Sequence, residues 1–144
     1  MKKDVYISIR GIQAIDGDRD VTELFTQGRF YRRNNSYYIT YDESEATGYE
    51  GSKTTLKVEG NRKVTLTRSG AVRSHLIVEA GERNIGHYGT AGGELIIGVN
   101  TRLIRSSLTD AGGDLRFSYS LDVNSSLVSE NEVYVNVKEC ETPS

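Results

Sequence analysis

Apolar and polar residues alternate with a period of two in segment after segment of this chain. The clearest case lies near the C-terminus, at Leu115, Phe117, Tyr119, Leu121 and Val123. A period of two places alternate side chains on opposite faces of a β-strand, whereas an amphipathic helix repeats about every 3.6 residues. The pattern therefore predicts roughly ten strands and no long helix.

Short turn-forming stretches separate the predicted strands. Asp16-Gly17-Asp18, Asn34-Asn35 and Gly60-Asn61 combine residues that favour tight turns. Consecutive hairpins favour an up-and-down order of antiparallel strands, and closing such a sheet removes its exposed edges. We therefore predict an all-β fold, an antiparallel up-and-down β-barrel of about 8–10 strands, with a β-sandwich as the alternative.

The alternation is interrupted once near the N-terminus. Val5, Ile7 and Ile9 share a face, but the next apolar residue after Gly11 is Ile12. This change of phase predicts a β-bulge or bend at Gly11. No linker composition divides the chain, so we expect residues 1–140 to form a single domain and residues 141–144 to form a short C-terminal tail.

Composition and charge exclude several classes of protein. The 144 residues carry 18 basic and 20 acidic side chains, a net charge of −2, which argues against disorder and against a general nucleic-acid binder. No apolar run is long enough for a membrane helix, and the alternation after Lys3 does not match an export signal. The single cysteine, Cys140, indicates a reducing compartment, so we expect a cytoplasmic protein.

The order of several motifs resembles a known family. The motifs are Glu23 to Tyr31, Tyr38 to Glu43, Lys53 to Val58, Thr67 to Val72, Tyr88, Gly93-Glu94-Leu95 and Tyr119. In this order they resemble the YwiB-like proteins of Gram-positive bacteria, a domain-of-unknown-function family, over about residues 4–139. The resemblance implies a cytoplasmic, closed barrel of calycin or lipocalin-like type, and it implies no activity.

Arg68 is the leading candidate for a binding residue. It shares the phase of Val64 and Leu66, which predicts that it points into the barrel. A buried arginine needs a partner, so Arg68 would either anchor a carboxylate or phosphate of a ligand or form a structural pair with an acid such as Glu43. The sequence does not decide between a ligand-binding role and a structural role for Arg68.

Tyrosines supply the rest of the predicted site. Tyr41 shares a face with Glu43, Tyr119 lies in the most amphipathic strand, and Tyr31 and Tyr88 could also reach the interior. Phenol rings offer apolar area with a polar handle, which suits a small-molecule pocket, although they could equally fill the barrel. We predict a non-enzymatic barrel that binds a small anionic or amphipathic ligand.

A second hypothesis is a structural or partner-binding module. The Arg29–Arg33 hairpin interleaves arginines with aromatic residues, which could contact RNA or another protein. No catalytic constellation, cofactor motif or metal-ligand spacing stands out, since His75 and His87 are the only histidines and acids such as Glu45 flank a polar loop. The oligomeric state is left open.

Overall fold

A computed structural model describes residues 2–44, 49–90 and 93–140, and the side chains of Tyr88 and Thr90 lie outside the described part of the chain. The predicted tail, residues 141–144, lies outside the described residues. The strands are β1 (Lys2–Ile15), β2 (Asp18–Arg33), β3 (Ser36–Asp42), β4 (Ser52–Glu59), β5 (Lys63–Gly70), β6 (Ser74–Glu79), β7 (Arg83–Thr90), β8 (Gly93–Ser106), β9 (Gly112–Val123) and β10 (Ser126–Glu139).

The ten strands form one closed antiparallel barrel. Each strand pairs with its neighbours in sequence, and β1 closes the barrel by pairing with β10, as in Ile7 opposite Val137. The prediction of an all-β, up-and-down barrel is therefore confirmed, and no helix occurs among the described residues. Within the same part of the chain, no helix is long and apolar enough to cross a membrane. The kinship with calycins and lipocalins stays a prediction.

The predicted bulge at Gly11 is wrong. β1 pairs residue by residue with both neighbours through this position, with Gly11 opposite Thr22 on one side and Val133 on the other. Gly11 therefore continues the inward phase of Val5, Ile7 and Ile9, and Ile12 falls on the opposite face. The register shifts of the barrel occur elsewhere, at 101/103 in β8 and at 127/129 in β10.

One end of the barrel has a packed interior, and we call it the filled end. The beginning of β1, the end of β10, the β2–β3 turn and the loop of residues 107–111 lie at this end. Inward side chains here are large and apolar, among them Phe30, Ile39, Val58, Val64, Val78, Val99 and Leu115, each at most 1% exposed. Close packing of this kind supplies most of the burial that stabilises a barrel.

The loop of residues 107–111 covers the filled end. Leu108 packs against the core, and the Tyr37 hydroxyl donates a hydrogen bond to Asp110 Oδ1 at 3.0 Å. The Tyr37 ring stacks on Phe30 with centroids 5.2 Å apart, and Arg32 pairs with Asp110 at 3.6 Å. Polar contacts at the rim thus hold an aromatic layer over the apolar core.

Candidate functional site

The opposite end of the barrel, which we call the cavity end, is hollow. The β1–β2, β5–β6 and β9–β10 turns lie at this end. A cavity of about 260 Å³ occupies it, with Gly11, Gln13 and Thr22 on one wall and Leu66, Phe117 and Tyr119 among the apolar and aromatic lining. Thr22 is exposed, so the cavity reaches solvent. A concave, mostly apolar space with a few polar groups is the usual form of a small-molecule site.

Part of the space exists because one inward position at this end, Gly11, carries no side chain. A Cβ built on Gly11 would meet nothing within 4 Å, although the residue lies in the middle of a paired strand and lines the cavity. By contrast, a Cβ on Gly28, nearer the filled end, would lie 2.3 Å from the carbonyl oxygen of Thr40. Gly28 is therefore required for close packing, whereas Gly11 leaves room.

Arg68 points into this cavity, as its phase predicts, and pairs with Glu43. Arg68 Nη2 lies 3.5 Å from Glu43 Oε1, and the two side chains are 9% and 1% exposed. Two opposite charges at such low exposure attract each other more strongly than they would in water, and either charge would be costly to bury without the other. The structural pairing considered for Arg68 is thus present in the molecule.

Neutral hydroxyls complete this polar cluster. The Thr54 hydroxyl donates to Glu43 Oε1 at 2.6 Å and accepts from Arg68 Nε at 3.2 Å. Arg68 Nη1 donates to Ser74 Oγ at 3.5 Å, and that oxygen also accepts the Gly89 N–H at 3.0 Å. The cluster therefore connects the residue after β3 with β4, β5, β6 and β7 across the hollow part of the barrel.

One aromatic ring covers the guanidinium group. The Tyr49 ring centroid lies 3.8 Å from Arg68 Cζ, within the range of a cation–π contact. Tyr49 belongs to the connection between β3 and β4, which carries no alternating pattern, so no sequence signal places it in the site. Arg68 is thus contacted through its nitrogen atoms and through one face.

Two of the predicted tyrosines line the cavity, and both keep their protons at neutral pH. Burial, and next the charge of Glu43, raises the pKa of Tyr41. Burial raises the pKa of Tyr119 to about 12, against a smaller opposing effect of Arg68. Both phenols therefore offer neutral O–H groups to the interior. Together with Arg68 and Glu43, they are the predicted site residues that the structure brings together.

Of the other two predicted tyrosines, only Tyr31 has a described side chain, and it is not among the residues that line the cavity. Tyr31 lies on the outer face of β2, where its ring stacks on Tyr38 with centroids 4.8 Å apart, so the expectation that it reaches the interior is wrong. The inward residue of this pair of neighbours is Phe30. The side chain of Tyr88 lies outside the described residues, although its backbone pairs with Leu95 in β8.

The aromatic residues of the Arg29–Arg33 hairpin divide between the two faces of the sheet. Phe30, Tyr37 and Tyr41 point inward; Tyr31 and Tyr38 point outward and stack on each other. Lys2 lies over the Tyr31 ring at 5.5 Å and Lys57 over the Tyr38 ring at 5.9 Å. The faces of both outer rings are therefore occupied within the protein, which does not favour base stacking.

The remaining polar candidates include the two histidines and Glu45. His75 and His87 are opposite each other on β6 and β7, and Thr67 Oγ1 lies 3.4 Å from His75 Nδ1. Among residues 2–44, 49–90 and 93–140, no three His, Cys, Asp or Glu side chains come together as metal ligands. Glu45 lies outside the described residues.

Several residues of the site escaped the sequence analysis. Thr54 in β4 and Ser74 in β6 occupy buried inward positions in the same phase as apolar residues, and Ser52 in β4 does the same, which is a detectable signal for a polar cluster. Gln13 and Asn131 line the cavity, and Gln13 Nε2 donates to Asn131 Oδ1 at 3.3 Å. Nothing in the sequence around Gly11 distinguishes a β-bulge from a position that leaves open space in the interior.

The fold and this site define a class: a closed ten-stranded β-barrel with a partly polar interior cavity at one end. The sequence model of "Domain of unknown function (DUF1934)" matches residues 7–135. The "Uncharacterized beta-barrel protein YwiB" of Bacillus subtilis (strain 168) is 30% identical over 125 residues, covering 85% of this chain and 86% of the relative.

A solved structure has the same fold over nearly the whole chain. The "Crystal structure of ywiB protein from Bacillus subtilis" has a TM-score of 0.83 and 26% identity, covering 97% of this chain and 94% of that chain. The chain therefore belongs to the DUF1934 family, and the predicted resemblance to YwiB-like proteins is confirmed. The name of this relative states the barrel and no activity.

Proposed function

We propose that this barrel binds a small amphipathic molecule in the cavity at its cavity end. The observation that carries the proposal is the contrast within one interior, where a cavity of about 260 Å³ sits directly above a tightly packed core. Apolar side chains that border the cavity, such as Phe117 and Leu66, make fewer contacts there than they would in a filled core. A bound molecule would restore those contacts.

The lining supports an amphipathic ligand in particular. Phe117, Leu66 and Val135 offer apolar surface, whereas the Arg68 cluster and the Tyr119 hydroxyl lie on the same cavity. A ligand with an apolar body and one polar group would match both surfaces at once. This arrangement, with a mostly apolar wall and a few fixed polar groups, gives a pocket both affinity and orientation.

Titration with N-phenyl-1-naphthylamine tests the proposal. This uncharged amphipathic dye gains fluorescence in apolar surroundings. We expect saturable binding to the wild-type protein and at least a tenfold loss of affinity in Gly11→Leu, whose side chain would project into the cavity. The matched control is Gln27→Leu, which adds an exposed leucine on the outer face and should bind as wild type does.

Two outcomes would contradict the proposal. One is the absence of saturable dye binding to a folded wild-type protein. The other is equal binding by wild type, Gly11→Leu and Gln27→Leu, because this would place the dye on the outer surface. Circular dichroism spectra and thermal unfolding of all three proteins establish that each is folded.

We also propose that binding takes place in the cytoplasm. The single cysteine, Cys140, supports a reducing compartment. Fractionation of the source cells, with detection by an antibody, checks this location. Recovery of the protein mainly from an extracellular or membrane fraction would contradict it.

A further inference from the structure

We infer that the polar group of the ligand is uncharged, so that the cavity selects a neutral amphipathic molecule such as an amide or alcohol over a carboxylate. This inference rests on the proposed function and specifies the ligand class. It also revises the expectation that Arg68 would anchor an anion.

The positive charge of Arg68 is already compensated. Glu43 lies 3.5 Å from Nη2, Thr54 accepts from Nε, and Ser74 accepts from Nη1. The Tyr49 ring covers one face of the guanidinium at 3.8 Å from Cζ. A carboxylate that bound Arg68 would have to compete with Glu43 and would leave two buried acids beside a single cation, which is unfavourable.

Among the described residues that line the cavity, Arg68 is the one cation, and the acids are Glu43 and Glu132. Glu132 lies on the outer phase of β10, where its Oε2 accepts a hydrogen bond from the Tyr134 hydroxyl at 3.4 Å. An anion that left water for this cavity would therefore lose hydration without gaining an uncompensated positive charge.

Neutral polar groups remain for a ligand. The Tyr119 hydroxyl faces the cavity, and the residue is only 8% exposed. Thr22 and Gln13 lie across the cavity on β2 and β1. A phenol, a hydroxyl and a carboxamide can all pair with a neutral group that both donates and accepts, as an amide or alcohol does.

A pair of probes that differ in charge tests this inference. Octanamide and octanoate share the same chain length and nearly the same head-group shape, but only octanoate is charged at pH 7. Each is used to displace N-phenyl-1-naphthylamine from the wild-type protein. We expect octanamide to displace the dye at a concentration at least tenfold lower than octanoate.

Two variants extend the test. Glu43→Gln removes the internal counter-charge of Arg68, so the preference for octanamide should fall at least tenfold or reverse in favour of octanoate. Tyr119→Phe removes one hydroxyl with little change in shape, so octanamide should bind about tenfold more weakly while octanoate changes little. The second variant keeps the inference testable if Glu43→Gln does not fold.

The outcomes separate the inference from the proposed function. Octanoate binding as tightly as octanamide, or displacement by neither probe, would overturn the neutral ligand class, even if the dye itself binds in a Gly11-dependent way. An unchanged probe preference in folded Glu43→Gln would overturn the role of charge compensation. Failure of the dye to bind at all would overturn the proposed function itself.

Discussion

The filled end and the cavity end of the barrel are built from the same ten strands but have different interiors. At the filled end, inward positions carry Phe30, Ile39 and Val64, which interlock with almost no exposure. At the cavity end, the continuing strands carry Gly11, Thr54 and Arg68 in the same phase. The difference shows that the same ten strands can enclose a packed interior at one end and a cavity at the other, with inward side chains contributing to both.

The two ends also differ in how neighbouring strands are held together across the interior. Apolar contacts connect them at the filled end, whereas at the cavity end the cluster of Glu43, Thr54, Arg68 and Ser74 spans the residue after β3 through β6. Polar networks are costly unless every group has a partner. A hollow interior stabilised in this way leaves room for a ligand while retaining the strand arrangement.

The largest expected effect comes from removing an equivalent ring at each end. Phe30→Ala should lower the free energy of unfolding by about 3–5 kcal/mol, because it creates a new cavity in the packed core. Phe117→Ala should cost at least about 1 kcal/mol less, since Phe117 already borders the cavity. Urea unfolding measures both, and equal losses would contradict the division into two ends.

Breaking the buried ion pair should have the next largest effect. Glu43→Ala leaves Arg68 buried beside the cavity without its counter-charge, which should lower the free energy of unfolding by about 3–4 kcal/mol. The control is the exposed pair of Arg102 and Glu130, joined at 2.7 Å, where Glu130→Ala should cost less than about 1 kcal/mol. Similar losses for the two variants would indicate that the Arg68 cluster is well solvated.

Stability at high pH should depend on Tyr119. Its folded-state pKa of about 12 exceeds the usual value of 10.0, so the fold favours the protonated phenol. The difference between these two pKa values corresponds to a contribution of about 2–3 kcal/mol to the free energy of unfolding. This contribution is complete below pH 10 and is lost as the pH rises through about 12. Urea unfolding at pH 9 and pH 11.5 should show a smaller decline for Tyr119→Phe than for wild type. An identical decline would place Tyr119 in water.

The smallest expected effect distinguishes the two inward glycines. Gly11→Ala should leave stability unchanged or raise it by up to about 1 kcal/mol, because a strand glycine is entropically unfavourable and a Cβ here has open space. Gly28→Ala should be destabilising by more than about 1 kcal/mol, because its Cβ would meet the Thr40 carbonyl at 2.3 Å. A loss at Gly11 similar to that at Gly28 would contradict an open cavity in solution.

The period-two pattern predicted the fold because each strand has one face in a common interior. It also placed Arg68, Tyr41 and Tyr119 inward correctly, since phase is conserved along a strand without a bulge. The same logic failed for Tyr31, where adjacent aromatic residues at Phe30 and Tyr31 compete for the inward position and periodicity alone did not decide between them.

The hollow character of one end was not predictable in the same way. Whether Gly11 marks a bulge or an open space depends on how it pairs with the two neighbouring strands, β2 and β10. The amino-acid sequence alone does not reveal that pairing. The pairing of Arg68 with Glu43 depends on register between β3, β4 and β5, so it could be suggested but not established before the structure.

Native mass spectrometry of gently purified protein tests the central claim most directly, namely that the hollow end holds a small molecule. Wild type and Gly11→Leu are purified in parallel, and each is measured under native and denaturing conditions. We predict an additional mass that is present only in the native spectrum of wild type and is reduced or absent in Gly11→Leu. The bare chain mass in both native spectra, or the same adduct in both, would contradict a ligand-binding cavity at this end.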